Sequence, residues 1–244
     1  MRNGILAGVA LALSAGAADA GCESHDFEGT PITACIVDPV ADDLRLFLND
    51  ADGTPFGSFD ALNDALGAQG LQLDIAMNGG MFHTDRAPVG HYVEDGVEVV
   101  PVITSEGPGN FGLLPNGVFC LAGGQASITE SRAFAANRPE CRFATQSGPM
   151  LVIDGALHPK FLADSQSQKI RNGVGVRADG IVVFAISDRT INFHSFARFF
   201  RDRMNTSDAL FLDGSVSRLF DRATGRSDFG SRLGPIIATV SSAD

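Results

Sequence analysis

Asp-Gly and Asn-Gly pairs recur along this chain and dictate how it turns. Asp52-Gly53, Asp95-Gly96, Asn116-Gly117, Asp154-Gly155 and Asp179-Gly180 each separate short apolar runs. These residue pairs accept the positive φ that tight hairpin turns demand, so they mark antiparallel pairs. The pattern predicts hairpins His91–Glu94 with Val97–Val100, Phe111–Leu114 with Val118–Ala122, and Pro149–Ile153 with Ala156–His158. Gly173–Arg177 with Ile181–Ser187 is the most apolar pair and is expected at the centre. Further strands are expected at Ile32–Val37, Leu44–Leu48, Leu71–Met77, Ala209–Leu212 and Pro235–Val240. Two helices interrupt this rhythm. Ser58 can cap one that runs to Leu66, ended by Gly67. Asn192 or Ser195 can start another reaching Met204, with Phe196, Phe199, Phe200 and Met204 on its inner face. The expected class is α+β (or α/β): a single domain with a mixed, strand-rich sheet, many hairpins and a cover of two or three helices.

The N-terminal residues point to export. Arg2, an apolar run from Ile5 to Leu13 and the small residues ending Ala18-Asp19-Ala20 read as a signal peptide at 1–20, cleaved after Ala20. That run is too short to span a bilayer, and Asp19 sits where a lipoprotein signal before Cys22 needs an apolar residue. The domain would then occupy 21–244, in the periplasm or outside the cell. Cys22, Cys35, Cys120 and Cys141 form no C-x-x-C pair, which disfavours zinc or dithiol redox chemistry. Of the three possible disulfide pairings, Cys22–Cys35 with Cys120–Cys141 has the shortest loops and is favoured. A formal charge of −11 without a basic cluster argues against nucleic acid or an anionic membrane as partner.

Four segments place glycine and polar groups directly at the end of an apolar run: Asn78-Gly79-Gly80-Met81-Phe82, Gln146-Ser147-Gly148-Pro149, Arg171-Asn172-Gly173-Val174-Gly175-Val176, and Leu212-Asp213-Gly214-Ser215. Rigid sheets commonly present functional groups on such loops. Each segment also has a plainer reading. Asn78-Gly79-Gly80 can be a tight turn, Asp213-Gly214 one more hairpin turn, and Arg171 a surface arginine.

Taken together and in order, these segments resemble the phosphodiester glycosidase family. Pro88-Val89-Gly90, Gly109-Asn110-Phe111 and Pro115-Asn116-Gly117-Val118-Phe119 add similarity to a bacterial exported branch. The resemblance implies cleavage of a sugar-1-phosphodiester, with a small molecule or glycan carrying a sugar phosphate as substrate. The last motif departs from the family's glycine- and serine-rich turn, reading Asp213-Gly214-Ser215-Val216-Ser217-Arg218.

Such a reaction expels a phosphomonoester, which needs less help from a general acid than an alkoxide does. It still needs a carboxylate at the oxocarbenium-like centre and a planar cation for the phosphate. On that logic Asp213 is the main carboxylate, Arg171 the phosphate ligand and Asn78 a donor to sugar or water. Glu94 is expected as second carboxylate, with Asp188 in reserve. Gly79 and Gly80 would offer backbone amides, and Gln146, Ser147, Asn172 and Ser215 would complete the substrate contacts. The scheme needs no cofactor, and a divalent cation bridging substrate stays open. One Tyr and no Trp leave no stacking platform for a long glycan, favouring a short substrate. The alternatives are a non-catalytic sugar-phosphate or envelope-glycan binding protein, and an exported assembly factor.

Overall fold

A computed structural model describes residues 21–243, so the expected signal peptide lies outside the described residues. The strands are β1 Gly21–Phe27, β2 Thr30–Val37, β3 Asp43–Phe47, β4 Leu71–Asn78, β5 Tyr92–Glu94, β6 Val97–Val100, β7 Gly117–Ala122, β8 Gln125–Glu130, β9 Phe143–Ser147, β10 Met150–Ile153, β11 Ala156–Leu157, β12 Asn172–Arg177, β13 Val182–Ser187, β14 Thr206–Phe211, β15 Leu219–Asp221, β16 Arg226–Ser227 and β17 Ile236–Ser242. Helices α1 Phe59–Gly67, α2 Ser131–Asn137 and α3 Phe193–Arg198 complete the set, and α3 runs on into a π-helical turn at Phe199–Arg203.

The chain is strand-dominated, as expected, but its strands form three sheets rather than one. Their orders are β1-β2-β13-β12-β14-β10-β11, β16-β15-β4-β17-β3 and β6-β5-β9-β7-β8. Every pairing among the described residues between these strands is antiparallel, so the sheets are not mixed. Antiparallel partners can be joined by tight turns, without the helical crossover that parallel strands need.

One core lies among all three sheets. Val174, Phe184, Leu210 and Leu212 of the first meet Leu46, Ile75, Met77 and Ile237 of the second and Phe119 and Phe143 of the third. Each sheet then buries its outer face under one helix. Phe196, Phe199, Phe200 and Met204 cover the first, Phe59, Leu62 and Leu66 the second, and Phe134 of α2 the third. Each such ring or branched side chain contributes about 1.5–3 kcal/mol by leaving water. Gly173 and Gly175 serve this packing, because a Cβ on Gly175 would stand 2.8 Å from the Phe200 ring.

Local expectations hold where a turn or cap fixes them. Asp95-Gly96, Asp154-Gly155 and Asp179-Gly180 join paired strands. Ser58 accepts from Ala61 N–H, and Asn192 from Ser195 N–H. Both disulfides take the short-loop pairing, Cys22–Cys35 and Cys120–Cys141. Asn116-Gly117 is a different case. Residues 111–114 form no strand, and β7 turns instead through Gly123-Gly124 into β8. Asn116 is buried, and its Nδ2 donates to the Phe111 carbonyl at 2.8 Å.

That bond belongs to a bracket which holds the long loops. The Phe111 ring lies against Gly90, where a Cβ would stand 2.6 Å from the ring and 2.8 Å from Gln146 Oε1. Gly90→Ala is therefore expected to destabilise the protein by about 1–3 kcal/mol through overpacking. Thermal unfolding checks it; an unchanged melting temperature would mean that the loop yields freely.

Candidate active site

The chemistry-bearing residues collect where three sheets end together. β4 ends at Asn78, β9 at Ser147 and β14 just before Asp213, while β12 starts at Asn172. The long irregular connections 79–91, 101–116, 158–171 and 212–218 reach the same end.

At the centre is an amide bridge between two sheets. Asn172 Oδ1 accepts the Asp213 N–H at 2.9 Å, while its Nδ2 donates to Asn78 Oδ1. The Arg218 N–H donates to that same Asn78 oxygen at 3.1 Å. Two donors therefore fix which way the Asn78 amide faces. Its Nδ2, fully buried, is left without a partner among the described residues. An orphaned buried donor costs about 1–3 kcal/mol unless a ligand or water oxygen meets it.

Asp213 is 8% exposed, and burial raises its carboxyl above the usual range, opposed by the backbone N–H groups of Ser215, Val216 and Gly214. The Ser215 bond measures 2.7 Å. Asp213-Gly214 is thus no hairpin turn but the end of a buried strand whose own loop cradles the carboxylate.

Arg171 is not a surface residue. It is 1% exposed, and burial lowers its pKa to about 10. Its Nε donates to the Ile191 carbonyl and its Nη2 to the Ser167 carbonyl, both at 2.9 Å. It forms no ion pair among the described residues. The β12–β14 register pairs Gly173 with Phe211, and the Leu212 N–H to Asn172 carbonyl bond continues it. Arg171 directly precedes β12 and Asp213 directly follows Leu212, so both lie just beyond this paired stretch.

Other expected site residues are placed differently. Gln146 is spent within the protein: Oε1 accepts from His91 N–H and Ile103 N–H at 3.0 Å, and Nε2 donates to the Ile103 carbonyl and Ser131 Oγ. It anchors the 101–116 loop rather than facing a substrate. Gly79 donates its N–H to the Pro235 carbonyl at 2.7 Å, so that amide is not free for an anion. Gly80 is at φ 149°, and a Cβ there would stand 2.7 Å from Thr145 Oγ1. Ser147 Oγ donates to the Leu212 carbonyl at 2.7 Å and steadies β14. Ser215 is exposed beside Asp213.

Glu94 does not join the cluster. On β5 it lies beyond Tyr92 and Val93, which pair with Thr145 and Ala144, and so it runs away from the Gln146 end. There it accepts the Tyr92 hydroxyl at 2.8 Å, and burial raises its pKa. Asp188 is engaged by Arg226 and Thr33, each at 2.9 Å. Arg218, 5% exposed and with its pKa lowered by burial, is a site neighbour whose only mark in the sequence is that it belongs to a departure from the family motif. The described residues hold no group of three or more His, Cys, Asp or Glu side chains suited to a metal.

Cavities of about 540 and 520 Å3 lie elsewhere, lined respectively by residues such as Asp74 and Asp221 and by residues such as Glu98 and Phe134. Their size does not make them the site, since neither contains the bridged amides or Asp213.

The strand ends thus carry a buried carboxylate, a guanidinium without an ion pair and a buried amide donor without a partner among the described residues, groups able to meet an anionic, oxygen-rich ligand. The model of the phosphodiester glycosidase family matches residues 72–227, and the chain belongs to that family. It is 37% identical over 189 residues to the uncharacterized protein YigE of Escherichia coli strain K12, covering 78% of this chain and 74% of that one. In fold it resembles the catalytic domain of zebrafish N-acetylglucosamine-1-phosphodiester alpha-N-acetylglucosaminidase, auto-inhibited by its pro-peptide. The TM-score is 0.62 at 15% identity, covering 91% of this chain and 82% of that one. A hypothetical protein from Synechocystis also matches, with a TM-score of 0.59 at 14% identity, covering 90% of this chain and 61% of the other.

Proposed function

We propose that this chain is an exported hydrolase that cleaves a sugar-1-phosphodiester in short substrates of envelope or exopolysaccharide type. The family supplies the general activity, and the paired disulfides fit an oxidising compartment such as the periplasm or the medium. No described helix is long and apolar enough to cross a membrane.

The observation that carries the reading is the Arg171–Asp213 edge. Arg171 is a buried cation whose protein partners are carbonyls and a hydroxyl. A charge buried without a counter-ion is costly, and an anionic substrate would offset that cost on binding. In our scheme Arg171 takes the phosphate through Nη1, which donates to nothing among the described residues. Asn78 Nδ2 meets a sugar oxygen or the attacking water. Asp213 works at the anomeric carbon. Water adds there, the bond to the phosphate oxygen breaks, and the products are free sugar and a phosphomonoester. With Glu94 turned away from the cluster and Asp188 paired to Arg226, Asp213 is the carboxylate assigned to the anomeric carbon. That suits a leaving group which departs as a stable anion.

The test is sugar release from GlcNAc-1-phosphodiesters and related glycosyl phosphodiesters by the oxidised protein. Arg171→Ala is expected to lower kcat/KM by roughly 10²-fold or more, as loss of a desolvated charge-assisted contact should. Full activity in that variant would remove Arg171 from substrate binding. Binding of the diester without product would favour a sugar-phosphate binding protein on the same fold.

A further inference from the structure

Arg171 has no acidic partner among the described residues, yet its guanidinium is held by two carbonyls and an aromatic ring. We infer that Phe193 and Phe161 are its positioning residues, an inference that rests on the phosphodiester reading above. The Arg171 Cζ lies 3.5 Å from the Phe193 ring centroid. Phe161 stacks on Phe193 at 5.0 Å with planes only 6° apart. At those separations the two neighbours must take opposite faces of the ring. His158 extends the pile, stacking on Phe161 at 4.6 Å and 23°. Phe211 meets Phe193 edge-on, at 4.8 Å and 84°, which fixes the tilt of the whole stack.

The guanidinium is therefore held from two directions. The ring of Phe193 supports one face through a cation–π contact. In its own plane, the Ile191 and Ser167 carbonyls take Nε and Nη2. Nη1 alone stays open. A carboxylate could have supplied the same rigidity, but it would have neutralised the charge and competed with the substrate anion. An aromatic face steadies the cation without cancelling it.

The parts come from few places. Ser167, Phe161 and His158 belong to the segment 158–171, and Phe193 is the first residue of α3. Asn192, which caps α3, ties the two together by donating from Nδ2 to the Ala163 carbonyl at 3.1 Å and the Ser165 carbonyl at 3.4 Å. A motif-based reading of Arg171 sees none of these partners, because only the fold brings them to one place.

The experiment measures inorganic phosphate binding by calorimetry alongside KM and kcat on a GlcNAc-1-phosphodiester, for wild type, Phe193→Leu, Phe193→Tyr and Phe161→Leu. Phe193→Leu keeps an apolar side chain and loses the π face. It is expected to weaken phosphate binding and raise KM by about tenfold, with kcat within about twofold. Phe193→Tyr, which keeps the ring, is expected to restore both. Phe161→Leu should shift KM in the same direction by less, and it carries the test should Phe193→Leu fail to fold. The inference is overturned if Phe193→Leu binds phosphate as wild type does, or if Phe193→Tyr is as impaired as Phe193→Leu. A wild-type protein that neither binds phosphate nor cleaves the diester overturns the phosphodiester reading itself, which is a separate result.

Discussion

Asp213→Asn is expected to cut turnover of a glycosyl phosphodiester by on the order of 10²–10⁴-fold and, at neutral pH, to make the protein more stable. The turnover loss follows from removing the carboxylate, and the stability gain from its burial. Burial raises the Asp213 carboxyl above its ordinary value, so the folded state resists its ionisation. The unfolded carboxyl titrates at about 3.9. As pH rises through that value, the unfolded state loses its proton first, and the native state loses stability relative to it. Asparagine never ionises, and its Oδ1 can still accept the Ser215 N–H. The gain in melting temperature should therefore be present at about pH 7 and vanish near pH 3. A melting temperature that falls at neutral pH would mean that the loop's hydrogen bonds to the carboxylate outweigh the cost of burying it. Unaltered turnover would take Asp213 out of the mechanism.

Asn172→Asp should have the next largest effect, because it inverts one donor in a closed circuit. Asn172 accepts from Asp213 N–H with one atom and donates to Asn78 with the other. An aspartate keeps the first bond and sets a buried, anionic acceptor against Asn78 Oδ1, which already receives Arg218 N–H. An uncompensated buried charge of this kind costs roughly 3–5 kcal/mol. If the Asn78 amide turns over to meet it, the free Nδ2 donor is lost, along with the acceptor for Arg218. Turnover should fall by at least about 10²-fold on either route. The introduced carboxyl, when protonated, can donate to Asn78 as the asparagine did, so its folded pKa must be raised. Stability is then lost as pH rises through the unfolded carboxylate range and recovered on acidification. Melting curves between about pH 4 and 7.5 test this; a deficit that does not shrink in acid would refute the circuit.

Much of this molecule is legible without its structure wherever a local rule decides the outcome. Asp95-Gly96, Asp154-Gly155 and Asp179-Gly180 turn hairpins because their backbone allows little else. Ser58 and Asn192 cap helices through their own side chains. Asn78, Arg171 and Asp213 stand out because each closes or opens an apolar run, and the sheets bring those run-ends together.

What stays hidden depends on distant partners. Gln146 reads like a substrate ligand until His91, 55 residues away, and Ile103 claim its amide. Glu94 follows a site motif in sequence, but the β5–β9 register carries it off in the other direction. Asn116-Gly117 has the dipeptide of a hairpin, whereas the buried Asn116 is needed to hold Phe111. Helix α2 escapes notice because its cap is Glu130, outside the usual capping set. Nor does any periodicity show that the seventeen strands among the described residues will divide into three sheets.

In the proposed reaction water attacks the anomeric carbon of a sugar-1-phosphodiester. Cleavage of a GlcNAc-1-phosphodiester in ¹⁸O-labelled water, followed by mass spectrometry of the phosphorus-containing product, tests it most directly. Attack at carbon predicts a phosphomonoester that carries no ¹⁸O, released together with free sugar. Label in the phosphate would place the attack at phosphorus and make the protein a phosphodiesterase of another kind; no product at all would leave a binding protein on an enzyme's fold.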